Sequence, residues 1–123
     1  MKKAADFLAE ANAVVPKITP DEGIARHAAG ATFVDVRDSG DVAKSGTVAG
    51  ALRITRGMME FRADDGHALH EPGLQKDAEI VLICGAGGQA ALAGKTLRDM
   101  GYSNVSNVGG FADWKEAGGP VED

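Results

Sequence analysis

Apolar residues along the chain follow two spacings, which predict two kinds of element. Short runs of apolar and β-branched residues predict four strands, at residues 32–36, 51–54, 80–83 and 104–108. Apolar positions three or four residues apart predict helices from Ala4 to about Val14, from Pro20 to about Ala29, and from Gln89 to Met100. Lys17-Ile18 is a candidate for a short edge strand. Because strands alternate with helices, we expect an α/β fold in which a central, mostly parallel sheet of four to five strands carries helices on both faces.

Cap signals support two of these helices. Thr19 is a candidate N-cap, with Pro20 at the first helical position and acidic residues in the first turn. Gly30 follows the second predicted helix and Gly101 follows the third, as expected for C-terminal caps.

Four segments leave the predicted strands at their carboxyl ends. Ligands bind beyond these ends in parallel α/β sheets, so the segments are expected to gather on one rim. They are Arg37-Asp38, Thr55-Arg56-Gly57, Cys84 to Gln89, and Gly109-Gly110-Phe111. Cys84 is expected at the centre of that rim. The long, turn-rich stretch from Met58 to Lys76 is expected to arch over part of it.

The only cysteine, Cys84, follows a buried apolar run and precedes Gly85-Ala86-Gly87-Gly88-Gln89. Residues with little or no side chain allow successive backbone N–H groups to turn toward one point, and the following helix adds the positive end of its dipole. Such a loop suits an anion and favours the cysteine thiolate over the thiol. The alternative is a small buried hydrophobic residue that ends a strand. A Cys84 that is both fully buried and turned away from the rim would contradict a catalytic role.

Composition narrows the class of partner. The 123 residues include 13 basic and 18 acidic side chains, for a net charge of −5, without the basic stripe that nucleic-acid binding needs. No apolar run approaches the roughly 18 residues of a membrane-spanning helix, and no signal-peptide core follows Met1. A single cysteine fits a reducing compartment. We therefore expect one cytoplasmic domain over residues 1–123, with neither nucleic acid nor a membrane as a partner.

Four motifs then occur in order along the chain. They are Asp35-Val36-Arg37 followed by Gly46-Thr47-Val48-Ala49-Gly50-Ala51; Arg56-Gly57-Met58-Met59-Glu60-Phe61; Cys84 with its loop; and Tyr102-Ser103-Asn104-Val105 followed by Gly109-Gly110-Phe111 and Trp114. In this order they resemble the single-domain rhodanese-like sulfurtransferases. The resemblance implies a rhodanese-like core over residues 19–121, preceded by an N-terminal helical extension over residues 1–15.

The resemblance also implies a reaction. In such a sulfurtransferase, the Cys84 thiolate takes a sulfane sulfur from thiosulfate or another persulfide donor and holds it as a persulfide. It then passes the sulfur to a cyanide or thiol acceptor, which includes protein thiols. The backbone N–H groups of the loop from Gly85 to Gln89 would stabilise the charge on the cysteine and the persulfide. No metal or organic cofactor is implied.

The cysteine loop departs from the family because it carries no charge, whereas active members often have one or two arginines or lysines there. Arg56 follows a neighbouring strand and could supply the missing charge; alternatively, it pairs with Glu60 at helical spacing. Asp35 could orient the cysteine loop through backbone N–H groups, or it could form a structural cap or ion pair. Arg37 is assigned to structure.

Several other residues also receive structural interpretations. Thr47 replaces a histidine that the family often has at this position, which is usually regarded as structural. Phe111 and Trp114 are assigned to the core. His67 and His70 lie in a turn-rich segment without a third ligand, so they are expected to be solvent-exposed rather than metal-binding.

Two other functions are alternatives to sulfur transfer with turnover. A cysteine phosphatase needs an arginine six residues after the cysteine, where this chain has Ala90. The stronger rival is a rhodanese-like module with low turnover that carries sulfur, senses it, or recognises a protein. An uncharged loop favours a protein or low-charge persulfide as its donor.

Overall fold

The computed structural model describes residues 1–123, which form six helices and six short strands. Four of the strands make up a central sheet. The helices are α1 (Ala4–Val14), α2 (Pro20–Ala28), α3 (Ser39–Ser45), α4 (Met59–Ala63), α5 (Gly88–Asp99) and α6 (Phe111–Glu116). The strands are β1 (Thr32–Asp35), β2 (Thr47–Val48), β3 (Leu52–Arg53), β4 (Ile80–Cys84), β5 (Val105–Gly110) and β6 (Val121–Glu122). A 3₁₀ turn over Arg56–Met58 precedes α4. None of the helices combines the length and apolarity that crossing a bilayer requires.

The main sheet has the order β3-β1-β4-β5, and all of its neighbouring strands are parallel. Lys17 forms a parallel bridge with Asn107, which adds the expected edge segment beyond β5. The predicted α/β architecture is therefore confirmed. The antiparallel pair β2-β6 was not predicted, because strands of two residues are too short to show a periodic pattern.

Apolar residues fill both faces of the sheet. Phe33, Val81 and Ile83 belong to a cluster that includes Phe111 and Trp114 of α6. The alternate residues Val34, Ile80 and Leu82 belong to a larger cluster that contains residues of α4 and α5. All five residues of β4 are buried, as expected for a central parallel strand covered on both sides.

Helix α1 packs against α5. Ala11 and Val15 are buried, and Val15 lies so close to Gly94 of α5 that an added Cβ at Gly94 would come within 2.8 Å of the valine side chain. This close approach requires the small residue in α5. It places α1 beside the helix that begins immediately after the cysteine loop.

Helix α2 begins with the expected capping box. The Glu22 N–H donates to Thr19 Oγ1 at 3.1 Å, and the Thr19 N–H donates to Glu22 Oε1 at 3.0 Å. The backbone and side-chain hydrogen bonds with Thr19 lower the pKa of Glu22. Gly30 and Gly101 have φ angles of 97° and 99°, which supports their predicted cap roles.

The segment from Met58 to Lys76 differs from its prediction. It contains α4, and Met59, Ala63 and Leu74 are buried in the same apolar cluster as α5. Tyr102, beyond the carboxyl end of α5, donates to the Ala63 carbonyl oxygen at 2.7 Å. The segment thus contains a helix and packs beside α5, because burying these apolar residues stabilises it there.

Candidate functional site

The segments that were expected to share a rim do so. The Val36 N–H donates to the Ile83 carbonyl oxygen at 3.0 Å, the Arg56 N–H donates to the Val36 carbonyl oxygen at 3.0 Å, and Cys84 is in register with Gly110. The carboxyl ends of four parallel strands consequently lie side by side. Cys84 ends β4, which lies between β1 and β5.

The Cys84 side chain is buried but directed into its loop. Only 1% of the residue is exposed. Its Sγ accepts hydrogen bonds from the N–H groups of Gly87 at 3.0 Å and Ala90 at 3.4 Å. Cys84 is therefore buried, but its side chain is not turned away from the rim. A catalytic role would be contradicted only if both were true.

The glycines around this loop have specific structural reasons. Gly87 has a φ of 96°, a conformation that residues with a Cβ rarely adopt. Gly110 lies against the Gly85 carbonyl oxygen, with no room for a Cβ between them. The glycines at these two positions allow the backbone of the cysteine loop to lie close to the end of β5.

Most of the loop N–H groups have no acceptor in the protein. Gly87 and Ala90 donate to Cys84 Sγ, whereas the amides of Gly85, Ala86, Gly88 and Gln89 donate to no protein atom. Helix α5 starts at Gly88, so its positive end lies at the same place. The loop can therefore bind an anion through its backbone alone.

Asn107 is a supporting residue that the sequence interpretation missed. Its Nδ2 donates to the Gly87 carbonyl oxygen at 2.9 Å, and its Oδ1 accepts from the Gly109 N–H at 2.8 Å. Only 3% of the residue is exposed, and its side chain joins the cysteine loop to β5. The sequence held no specific signal for this role, because β5 also contains the polar Ser106.

Asp35 makes no hydrogen bond to the cysteine loop, which was one of the two roles considered for it. Its carboxylate binds the Arg37 Nη2 at 2.8 Å and accepts from Thr47 Oγ1 at 2.7 Å. Arg37 also donates to the Gly46 carbonyl oxygen at 2.8 Å and stacks on the Phe111 ring at 4.5 Å. These partners stabilise the buried carboxylate, because an unpaired charge at this buried position would lower the stability of the fold. The structural alternative for Asp35 is therefore the one that the contacts support.

Arg56 is also directed away from the cysteine loop. Its guanidinium donates to Glu60 Oε1 and to Thr96 Oγ1, both at 3.1 Å. Thr96 lies two turns along α5 from Gly88. In this arrangement Arg56 does not supply the positive charge that the loop lacks.

A sequence profile of the rhodanese-like domain matches residues 19–117. The chain belongs to the rhodanese-like domain family. The match covers the whole main sheet and the cysteine loop, and α1 lies before it.

Three comparisons illustrate the range of similar proteins. A solved structure from Rhodopseudomonas palustris, a protein of unknown function described as a possible tyrosine phosphatase, is 36% identical with a TM-score of 0.92, covering 99% of this chain and 96% of that one. The mitochondrial protein HIGH ARSENIC CONTENT 1 of Arabidopsis thaliana is 33% identical over 72% of this chain. The thiosulfate sulfurtransferase GlpE of Pseudomonas entomophila is 29% identical over 80% of this chain and 84% of its own length.

The matched region spans only 55% of the Arabidopsis protein. This chain therefore corresponds to about half of that relative.

Other positions of the rhodanese-like domain have structural partners. Thr47 is fully buried on Asp35, and Trp114 is fully buried with its Nε1 donating to the Pro120 carbonyl oxygen at 3.0 Å. These findings agree with the structural interpretations of Thr47 and Trp114.

The expected exposure of the two loop histidines is wrong, because both are half-buried. The His67 ring packs on Phe61 with 5.3 Å between centroids, and its Nδ1 accepts from the Leu69 N–H at 3.0 Å. No group of three or more His, Cys, Asp or Glu side chains lies close enough together to hold a metal ion.

Proposed function

We propose that this protein is a sulfurtransferase that carries sulfur on Cys84. The observation that supports this most is the position of Cys84 Sγ, which ends a central strand and accepts from the Gly87 and Ala90 N–H groups. The thiolate is the nucleophilic form of cysteine, and these two N–H groups and the positive end of α5 can bind its negative charge.

The first step is sulfur uptake. The Cys84 thiolate attacks the outer sulfur of thiosulfate or of another persulfide donor. A Cys84–sulfur bond forms, the sulfur–sulfur bond of the donor breaks, and sulfite or the donor thiolate leaves. The unpartnered N–H groups of Gly85, Ala86, Gly88 and Gln89 bind the negative charge of the donor and then of the persulfide.

The second step is sulfur release. A thiolate or cyanide attacks the outer sulfur of the persulfide and takes it as a new persulfide or as thiocyanate, and the Cys84 thiolate is regenerated. The two steps exchange one sulfur–sulfur bond for another bond to sulfur, so no external oxidant or reductant is required.

The second candidate is a carrier module that receives sulfur from a protein and turns over free thiosulfate poorly. The absence of charge between Gly85 and Gln89 and the engagement of Arg56 elsewhere favour it. Without a cation, the dianionic donor gains less on binding.

Phosphatase chemistry has less support here, although a similar structure carries that description. It needs a guanidinium at the end of the loop to clamp the phosphoryl oxygens. This chain has the buried Ala90 at that position, and no arginine between Cys84 and Ala90.

The test is the intact mass of the protein after incubation with excess thiosulfate, with a Cys84→Ser variant alongside. We expect the wild type alone to gain one sulfur atom and to lose it when a thiol is added. Gain only from an organic persulfide would favour the carrier. No gain from either donor would refute the proposed function.

A further inference from the structure

A cleft of about 330 Å³ lies between α1, the cysteine loop and the end of β5. Its larger apolar residues are Leu8, Ile18 and Val108, and its smaller ones are Ala86 and Ala91. The volume is at the lower end of the range for sites that hold small organic ligands. This cleft is called the α1 cleft below.

The α1 cleft is separate from the place where sulfur would be held. Cys84 does not line it, and neither does Ala90, whose N–H donates to Cys84 Sγ. Gly87 lines the cleft and also donates to Sγ, so the two places share one loop. A ligand can therefore occupy the cleft and contact the cysteine loop without touching the reacting sulfur.

Lys17 is the only charged residue that lines the α1 cleft. Lysines such as Lys2 and Lys95 pair with carboxylates, whereas the Lys17 ammonium takes part in no salt bridge or hydrogen bond within the protein. Its backbone is held by a parallel bridge to Asn107, whose carbonyl oxygen accepts from the Ile18 N–H at 2.9 Å. Lys17 thus presents a free positive charge from a fixed segment of backbone.

No carboxylate opposes this charge in the α1 cleft. Acidic residues outnumber basic ones by 18 to 13 in the chain, yet no Asp or Glu lines the cleft. The two acidic side chains of the adjacent α1 are already paired, since Asp6 accepts from the Lys3 N–H at 2.7 Å and Glu10 binds Lys2 at 2.7 Å. An anion in the cleft therefore meets an attractive charge and no repulsive one from the lining.

The geometry points to a binding site for a small organic carboxylate, with the carboxylate on the Lys17 ammonium. The apolar part of the ligand lies against Leu8, Ile18 and Val108. Asn12 also lines the cleft, and its side-chain amide can donate to the second carboxylate oxygen. Because the cleft offers one positive charge and mostly apolar walls, it suits a singly charged ligand with an apolar body.

This site goes beyond sulfur transfer and does not depend on it. Leu8, Asn12 and Lys17 all precede residues 19–117, which match the family profile. The carboxylate site is therefore a property of the N-terminal segment together with the loop, and not of the family region alone.

The experiment titrates the protein with 3-phenylpropanoate and with its uncharged amide, 3-phenylpropanamide, while the backbone amide resonances are followed. Saturable shifts at Leu8, Lys17 and Gly88 are expected with the carboxylate, with a Kd of roughly 1 mM for a ligand of about 11 non-hydrogen atoms. Lys17→Ala should weaken binding of the carboxylate about three- to fivefold, as for one exposed ion pair. Binding of the amide should change less than about twofold, because it has the same shape without the charge.

Two matched controls accompany Lys17→Ala. Lys44→Ala removes another exposed lysine that makes no salt bridge and does not line the cleft, so binding of the carboxylate should not change. Leu8→Ala removes an apolar wall and should weaken both probes equally, whereas Phe7→Ala alters an exposed neighbour outside the cleft and should affect neither. The amide spectrum of each variant reports whether it is folded.

The Cys84→Ser variant, which cannot hold sulfur, separates this site from the proposed function. It should bind the carboxylate as the wild type does, because Cys84 does not line the cleft. Loss of binding in Cys84→Ser would place the ligand at the cysteine and overturn the inference. Absence of saturable shifts at the cleft, equal losses for both probes in Lys17→Ala, or the same loss in Lys44→Ala would also overturn it, whether or not the protein takes up sulfur.

Discussion

The neighbouring strands β1 and β4 end at the same edge of the sheet with opposite chemistry. β1 ends in a buried ion pair, in which Asp35 binds Arg37 at 2.8 Å and Thr47 at 2.7 Å. β4 ends in Cys84, whose Sγ accepts only from backbone N–H groups. One strand end is charged and the other carries no charged side chain.

The charged side chains at the end of β1 bind each other, whereas several backbone N–H groups at the end of β4 bind no protein atom. Both carboxylate oxygens of Asp35 are engaged, and Arg37 additionally binds Ser45 and Gly46. Four N–H groups in the cysteine loop have no protein acceptor. The comparison teaches that a charged residue near a site need not act in it, while an uncharged backbone can supply the binding groups.

The largest predicted effect comes from removing the ion pair at the end of β1. Asp35→Ala leaves the Arg37 guanidinium buried without its partner, and we expect the free energy of unfolding to fall by about 3–5 kcal/mol. Urea denaturation measures the change. Asp38→Ala is the control, because Asp38 is exposed and its side chain makes no hydrogen bond. A loss below about 1 kcal/mol in Asp35→Ala would mean that the ion pair contributes little to stability.

The next largest effect comes from displacing the cysteine loop at the end of β4. Gly110→Ala places a Cβ against the Gly85 carbonyl oxygen, so the cysteine loop must move. We expect the unfolding free energy to fall by about 1–3 kcal/mol and the rate of sulfur uptake to fall roughly 100-fold. Intact mass against time measures the uptake.

Gly85→Ala is the matched control for Gly110→Ala, because a Cβ at Gly85 meets no atom within 4 Å. We expect this control to change the unfolding free energy by less than about 0.5 kcal/mol. Normal sulfur uptake in Gly110→Ala would mean that the loop position at β5 does not matter for the reaction.

A smaller effect is expected from removing the Asn107 side chain, which tests whether it positions the cysteine loop. Asn107→Ala removes the buried side chain that binds Gly87 and Gly109, leaving the half-buried Gly87 carbonyl and Gly109 N–H without this partner. We expect a loss of about 1–3 kcal/mol in unfolding free energy, with slower sulfur uptake.

Ser106→Ala tests the same strand as a control, because the buried Ser106 Oγ has no hydrogen-bond partner. Removing it should leave stability unchanged or raise it slightly, and sulfur uptake should stay as in the wild type. Equal uptake in the two variants would contradict a positioning role for Asn107.

The sequence predicted the features that depend on local pattern. The main strands, the helix caps at Gly30 and Gly101, and the common rim around Cys84 follow from hydrophobic spacing and from the geometry of parallel sheets. The rhodanese-like family was also recognisable from motif order.

Features that depend on contacts between distant residues were not predictable in the same way. Arg56 could reach either the cysteine loop or α5, and it binds Thr96 because the 3₁₀ turn that carries it packs against α5. The Asn107 contact with Gly87 joins residues 20 positions apart. Neither choice leaves a periodic signal in the sequence.

The smallest effect concerns Tyr102, beyond the other end of α5. Its hydroxyl donates to the Ala63 carbonyl oxygen at 2.7 Å, so Tyr102→Phe should lower the unfolding free energy by about 1 kcal/mol. Sulfur uptake should be unchanged, because Tyr102 lies beyond the carboxyl end of α5, the opposite end from the cysteine loop, and its hydroxyl binds Ala63. A large loss of uptake would mean that α5 transmits changes from one end to the other.

The pH dependence of this difference gives a sharper test. Burial raises the pKa of Tyr102, and the nearby Asp65 and Asp64 raise it further. The folded state therefore holds the phenolic proton more tightly than the unfolded chain does. Its stabilising contribution is fully present below the unfolded pKa of about 10 and is lost as the pH rises through the folded pKa. Urea denaturation of both proteins should thus show the wild-type advantage over Tyr102→Phe near neutral pH and its decline above about pH 10. An advantage that stays constant across this range would show that the Tyr102 proton is held no more tightly in the folded state than in the unfolded one.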